Sequence, residues 1–263
     1  MSAQSRSPAQ PLIAVDIGNT NIHFGWFPGG QGSETLAEPA SDFTTSTATP
    51  NFEALAQWLP PGAERWFGVS VNRTGLMHLR QWVLSQGSMA FTLLDHHTLV
   101  INAAVDHPEQ VGTDRLAAAV AANHLRRPGQ PAIVVDAGTA ITVDAVSADG
   151  RFLGGAILPG LAMSAKALTG QTDLLPEVAI DPGDVPAAIG ANTSQAIRSG
   201  LYWGTVGAVR ETIDRVGRQL SEQTKPQVFF SGGNMSQLAQ WLGPEVTLVP
   251  HIVLKGIVLS ANA

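Results

Sequence analysis

The chain has 263 residues, 44% of them apolar, no cysteine and a formal charge of −6. That length supports a sizeable core in one or two domains. The lack of cysteine excludes disulfides and thiolate metal sites, and an acidic balance with no basic stripe argues against nucleic acid as a partner.

Residues 1–10 are polar and read as a disordered tail. Leu12–Val15 predicts a buried strand, broken by Asp16. The run is too short for a signal sequence or a membrane span, so a cytoplasmic protein without membrane contact is expected. Asp16-Ile17-Gly18-Asn19-Thr20 reads as a glycine turn and Ile22–Phe27 as the returning strand of a hairpin. Residues 29–48 read as loop and edge strand. Helical stretches at Phe52–Leu59 and Leu76–Ser85 alternate with strands at Trp66–Val71 and Phe91–Leu94. Asp114–Leu125 is alanine-rich and predicts a helix, ended by Arg126-Arg127-Pro128-Gly129-Gln130-Pro131. Ala132–Val135 then repeats the opening strand. Asp136-Ala137-Gly138-Thr139-Ala140 repeats the turn about 120 residues after the first, and Ile141–Val146 repeats the return. Helices are expected around Met163–Leu168, Ser194–Val216 and Met235–Trp241. Phe229 to Asn234 reads as a strand running into a glycine turn. The apolar Ile252–Leu259 is expected to pack back onto the first half. This alternation implies an α/β fold of two related lobes, over 11–129 and 130–263.

Six clusters carry candidate chemistry. At each Asp-x-Gly turn the glycine lets backbone N–H groups approach an anion, and the carboxylate beside it can hold a cation. An ordinary Asx-type turn has the same composition. Two such turns facing each other would clamp a metal-bound polyphosphate. In Gly112-Thr113-Asp114-Arg115, Thr113 and Asp114 suit a helix start, while Asp114 also suits a general base and Arg115 an anion fork. Gly154-Gly155 to Pro159-Gly160 suggests backbone approaching a ligand or a facing subunit, or a strand ending in a turn. In Ile189-Gly190-Ala191-Asn192-Thr193, Thr193 is a substrate hydroxyl or an N-cap. Gly200, Gly204 and Gly207 on the following helix predict close packing of a buried helix. Ser231-Gly232-Gly233-Asn234 opens a helix and could cradle a nucleotide. Lys166 and Lys255 are isolated and read as surface or packing residues. No zinc-ligand spacing, phosphate-loop lysine motif or serine-hydrolase elbow is present.

In their order along the chain these motifs resemble the type III pantothenate kinases. The resemblance implies the actin-like ATPase (ribonuclease H-like) fold: two lobes, each a mixed sheet flanked by helices, with a cleft between them, in a homodimer. It implies transfer of the γ-phosphoryl group of ATP to pantothenate, the first step of coenzyme A biosynthesis. Mg²⁺ with ATP and a monovalent cation, K⁺ or NH₄⁺, are implied too. Carried over by motif, Asp16, Ile17, Gly18, Asn19, Thr20, Asn21, Ile22, His23 and Thr139 contact ATP, with Asp16 near Mg²⁺. Gly112, Thr113, Asp114, Arg115 and Thr193 bind pantothenate, Asp114 is the proton acceptor, and Asp136 holds the monovalent cation. The family often has a tyrosine shortly before Gly112. Here residues 102–110 have none, Val105 stands about there, and the sole tyrosine is Tyr202. A nucleotide-binding regulatory protein on the same fold, or another kinase or phosphatase of the superfamily, are the alternatives.

Overall fold

The computed structural model describes residues 10–29, 36–180, 184–221, 223–233 and 238–263. Residues 1–9 of the expected tail lie outside these, as do residues 30–35 of the predicted loop, Asn234 and the first residues of the helix expected at Met235–Trp241. The chain divides into two compact units: residues through Leu125 together with His251–Ala263, and Arg126–Pro250. The last helix, Ile252–Ala261, groups with the first unit, as expected of the apolar Ile252–Leu259, so the second unit ends at Pro250 and not at residue 263.

In the first unit a five-stranded sheet has β1 (Leu12–Ile17) at its centre. β2 (Asn21–Phe27) returns antiparallel beside it, and β3 (Ser41–Ser46) pairs antiparallel with β2. On the other side β4 (Arg65–Ser70) and β5 (Ala90–Leu93) run parallel. The parallel steps cross over through α1 (Phe52–Trp58) and α2 (Arg73–Ser85), as parallel pairing requires. Ile13, Val15, Ile17, Phe24 and Trp66 face these helices and pack with Leu55 and Leu79. Phe24 sits among Phe43, Trp58 and Trp66 at centroid distances of 5.9 to 6.4 Å within that ring cluster. A short strand β6 (Asn102–Ala103) leads to α3 (Thr113–Leu125).

The opposite face of this sheet is covered by the C-terminal helix α6 (Ile252–Ala261), which packs on β1, β2, β4 and α3. Alanines 117–119, 121 and 122 of α3 are buried, and this small surface lets α6 come close. A Cβ on Gly256 would lie 1.8 Å from the Ala117 carbonyl oxygen, so only glycine fits the crossing. Lys255 is not a surface residue: it is 4% exposed, and its ammonium pairs with Glu38, which is itself largely open to water.

The second unit repeats the plan. β7 (Ala132–Ala137) pairs antiparallel with β8 (Ala140–Val146), which pairs antiparallel with β9 (Arg151–Pro159). β10 (Gln227–Ser231) and β11 (Val246–Leu248) lie parallel on the other side of β7. The order β9-β8-β7-β10-β11 thus reproduces β3-β2-β1-β4-β5 strand for strand and sense for sense. β1 and β7 also share one burial pattern, inaccessible except at the penultimate aspartate. Between β9 and β10 run α4 (Leu161–Gly170) and the 28-residue α5 (Thr193–Leu220). Tyr202, Val206 and Val209 of α5 close the core over Ile133, Val135, Ile141 and Phe230. Gly200, Gly204 and Gly207 correct the expectation of a buried glycine stripe: they face outward, and a Cβ at each would meet no atom within 4 Å. The periodic apolar residues, not the glycines, set the packed face. Among the described residues no helix is long and apolar enough to cross a membrane.

Gly256→Ala is expected to lower stability in urea denaturation by about 1–3 kcal/mol, because the clash is with backbone that cannot rotate away. Its higher helix propensity offsets only about 1 kcal/mol of this. Unchanged or raised stability would show that the two helices separate without cost.

Candidate functional site

Both predicted hairpins form. In the first, the Gly18 N–H donates to the Asn21 carbonyl at 3.0 Å, and a Cβ on Gly18 would crowd that oxygen. In the second, the Gly138 N–H donates to the Ala140 carbonyl at 3.0 Å, closing a turn one residue shorter. Asp16 and Asp136 stand at the same place, one residue before the end of a central strand. Asn19 and Thr20 are exposed at the tip of the first turn. Ile17 and Ile22 are fully buried in the core, so ligand contacts at these positions fall to the main chain. The turn is braced from β3's end: the Thr47 hydroxyl donates to the Gly18 carbonyl at 2.9 Å and its N–H to the Thr20 carbonyl at 2.9 Å.

Asp16 pairs across the strands with His23, and His23 pairs with Thr44, which puts the three side chains on one sheet face. His23 Nδ1 and Thr44 Oγ1 are 3.0 Å apart. Desolvation of the imidazole lowers the His23 pKa first and the nearby His251 lowers it further, while Asp42 opposes them. His251, at φ 55°, is the one non-glycine residue with positive φ among those described, and it caps α6 without a side-chain bond. Such backbone strain tends to collect near functional sites.

The loop Gly112 to Arg115 lies in the same unit. β4 is the parallel neighbour of β1, so Ser70 is in register with Ile17 at the sheet's carboxyl end. The first residue of α3 is tied there: Thr113 Oγ1 accepts from the Ser70 N–H at 3.1 Å and donates to the Ser70 carbonyl at 3.2 Å. Thr113 is thus not the helix cap its position suggested. The Gly112 carbonyl accepts the first helical bond, from Leu116 N–H, instead. The half-buried Asp114 carboxylate accepts from the Arg115 N–H at 2.8 Å. Desolvation raises its pKa, and the Arg115 amide and charge pull it back only in part. A Cβ on Gly112 would sit 2.5 Å from Asp114 Oδ1, so the glycine makes room for the carboxylate. The result is a carboxylate with raised basicity on the residue after Thr113, which is tied to the end of β4, the neighbour of the strand that carries the first turn.

In the second unit Asp136 is in register with Ser231 on β10 and Thr142 on β8. Thr139 is exposed at its turn, and its carbonyl accepts from the Gly160 N–H at 3.1 Å. The close approach expected of Gly154 to Gly160 is made to this unit's own backbone. A Cβ on Gly155 would lie 2.1 Å from the Val143 carbonyl, and one on Gly160 would lie 2.4 Å from that of Thr139. Gly232, at φ +102°, packs the same way against Ala137. Thr193 is exposed as the first residue of α5, and the cap is Asn192, whose side chain accepts from the Gln195 N–H at 3.0 Å. Lys166 is exposed on α4. No group of three His, Cys, Asp or Glu that could hold a metal ion occurs among the described residues. Ser70, Asn72 and Thr47 were not singled out from sequence, although Asn72 carries a recognisable signal as an asparagine before a helix.

The sequence model of the type III pantothenate kinase family matches residues 12–215. A type III pantothenate kinase of Dehalococcoides mccartyi (strain CBDB1) is 33% identical over 96% of this chain and 95% of its own length. That of Gluconobacter oxydans (strain 621H) is 34% identical over 95% and 93%. Among solved structures, a Campylobacter jejuni protein assigned to the Baf family of transcriptional activators superposes with a TM-score of 0.60 at 21% identity, covering 95% of this chain and 98% of its own. A glucokinase from an Antarctic psychrotroph gives 0.52 at 14% identity, covering 96% and 99%. At such identities the structures speak for the fold alone, and that fold is the actin-like ATPase one. The duplicated hairpins, the Gly112–Arg115 loop and the near full-length matches agree, and the chain belongs to the type III pantothenate kinase family.

Proposed function

We propose that the chain transfers the γ-phosphoryl group of ATP to the hydroxyl of pantothenate, with Asp114 as the proton acceptor. The observation that carries this is the Asp114 carboxylate, held by its neighbouring amide at 2.8 Å and raised in pKa, on the residue that follows Thr113, whose hydroxyl is tied to the end of β4, the strand beside β1. Phosphoryl transfer needs positioning and charge neutralisation more than covalent help. A chain with three lysines and two aspartate–glycine turns would supply these through backbone N–H groups and bound cations. In this reading Asp16, Gly18, Asn19, Thr20, Asn21, His23 and Thr139 hold ATP, with Ile17 and Ile22 contributing main chain. Gly112, Thr113, Arg115 and Thr193 hold pantothenate. The oxygen donors of Asp16, Asn19 and Thr20 suit Mg²⁺, which neutralises phosphate charge when bound. Asp136, with the Ser231 hydroxyl in the neighbouring register, offers the oxygen donors a K⁺ or NH₄⁺ ion would take. A cytoplasmic homodimer is part of the same proposal.

The test is ADP release by purified protein with Mg-ATP, with and without pantothenate, in K⁺ and then in Na⁺ alone. Pantothenate-dependent turnover that collapses in Na⁺ is the expected result; ATP binding without turnover would favour a regulatory role. A K⁺-induced rise in melting temperature that Asp136→Asn removes would support the cation assignment separately.

Asp114→Asn is expected to keep ATP affinity and lose about 10²–10⁴ in kcat. Near-full activity would remove Asp114 from the base role. Since the base works ionised and its pKa is raised, the acidic limb of kcat/KM is expected above the ordinary carboxylate value of about 4. Activity should fall as pH drops through that limb, and a limb at or below the ordinary value would contradict a desolvated base.

A further inference from the structure

We infer that Ser70 and Asn72 are positioning residues that join the acceptor loop to the nucleotide turn through one hydrogen-bonded relay. The inference rests on the proposed reaction and adds two residues to it. Thr113, one residue before the base, fixes its hydroxyl on the backbone of Ser70 by two bonds at 3.1 and 3.2 Å. The Ser70 hydroxyl turns forward, accepting from the Asn72 N–H at 3.2 Å and donating to the Asn72 carbonyl at 3.0 Å. The Asn72 side chain divides in two: Oδ1 accepts from the Gly75 N–H at 2.8 Å and Nδ2 reaches Asn19 Oδ1 at 3.4 Å. The Val71 N–H bonds the Ile17 carbonyl at 3.0 Å, so the segment carrying the relay is itself stitched to the strand that ends in the turn.

Helix capping alone does not account for Asn72. Serine, threonine or aspartate would cap α2 as well. An asparagine offers an acceptor to the helix and an N–H₂ donor to a second partner at once. Because Oδ1 takes a backbone N–H, the amide orientation is fixed, and the donor is left pointing at the tip of the phosphate turn. The Asn19 link is long for its kind and is the point where the relay ends in an exposed side chain. Three loops far apart in sequence, around residues 19, 71 and 113, are thereby held in one arrangement with the base at one end. Displacing the reacting groups by about 1 Å can cost on the order of 10²-fold in rate, so the relay acts on kcat.

The test is steady-state kinetics and melting of the full chain with Asn72→Ser, Ser70→Ala and both. Asn72→Ser keeps the cap and loses the donor. It is expected to lower kcat about 10-fold or more while both KM values stay within about twofold and the melting temperature is nearly unchanged. Ser70→Ala should act in the same direction. Because the two serve one relay, the double variant should be no slower than the slower single one. Wild-type kcat in Asn72→Ser, a loss that merely follows a fall in melting temperature, or losses that multiply in the double variant would each overturn the relay. Wild-type protein that shows no pantothenate-dependent turnover would overturn the proposed reaction, and the relay's role with it.

Discussion

Strand β1 lies inaccessible at the centre of its sheet, and that placement governs the first unit. A strand buried on both faces must be apolar, as Leu12 to Val15 are, and its polar chemistry can begin only where it emerges. It emerges at Asp16. The antiparallel return through Gly18 and the parallel neighbour β4 then bring two loops to that same end, one suited to an anion and one suited to hold α3. Helices on both faces leave this end of the sheet as the place for chemistry, as in other open α/β sheets.

What sequence made legible is what depends on short-range pattern. An apolar run closed by Asp-x-Gly and followed by alternation forms a hairpin at both Asp16 and Asp136, because each residue's preference and its burial agree. The duplication could only be suspected from those few residues, and the matching strand order carries it much further. Other features depended on distant partners. The first turn of α2 was missed because Arg73-Thr74-Gly75 lacks an apolar residue to mark the face, although Gly75 packs on Thr47 and Ile17. Thr113 reads as a cap in isolation and turns instead to a strand 43 residues away. Gly155 and Gly160 were expected to bring backbone close to a ligand or a facing subunit, or to end a strand in a turn, and what a Cβ there would meet is the neighbouring strand and turn.

The two units keep one topology and have diverged in their edges. The first turn has one more residue than the second, two exposed polar side chains at its tip and a brace from Thr47. The second is shorter and is backed by glycine-dependent contacts from Gly160 and Gly232. A longer, laterally braced loop is suited to wrap a polyanion, while a compact one backed by main chain presents a carboxylate in a fixed place. The same strand order thus accommodates two turns of different length and support without a change of fold.

The grouping of α6 with the first unit has a consequence for biogenesis. On the ribosome, β1 to α3 emerge first, yet the surface formed by Gly25 and Ala117 is covered by Leu254 and Gly256 only after the intervening 125-residue unit has been made. The early half must wait with a bare apolar face, while the later half is contiguous and can close as soon as it leaves the exit tunnel. Loss of Ile252–Ala261 alone would therefore uncover the earliest-made part of the protein.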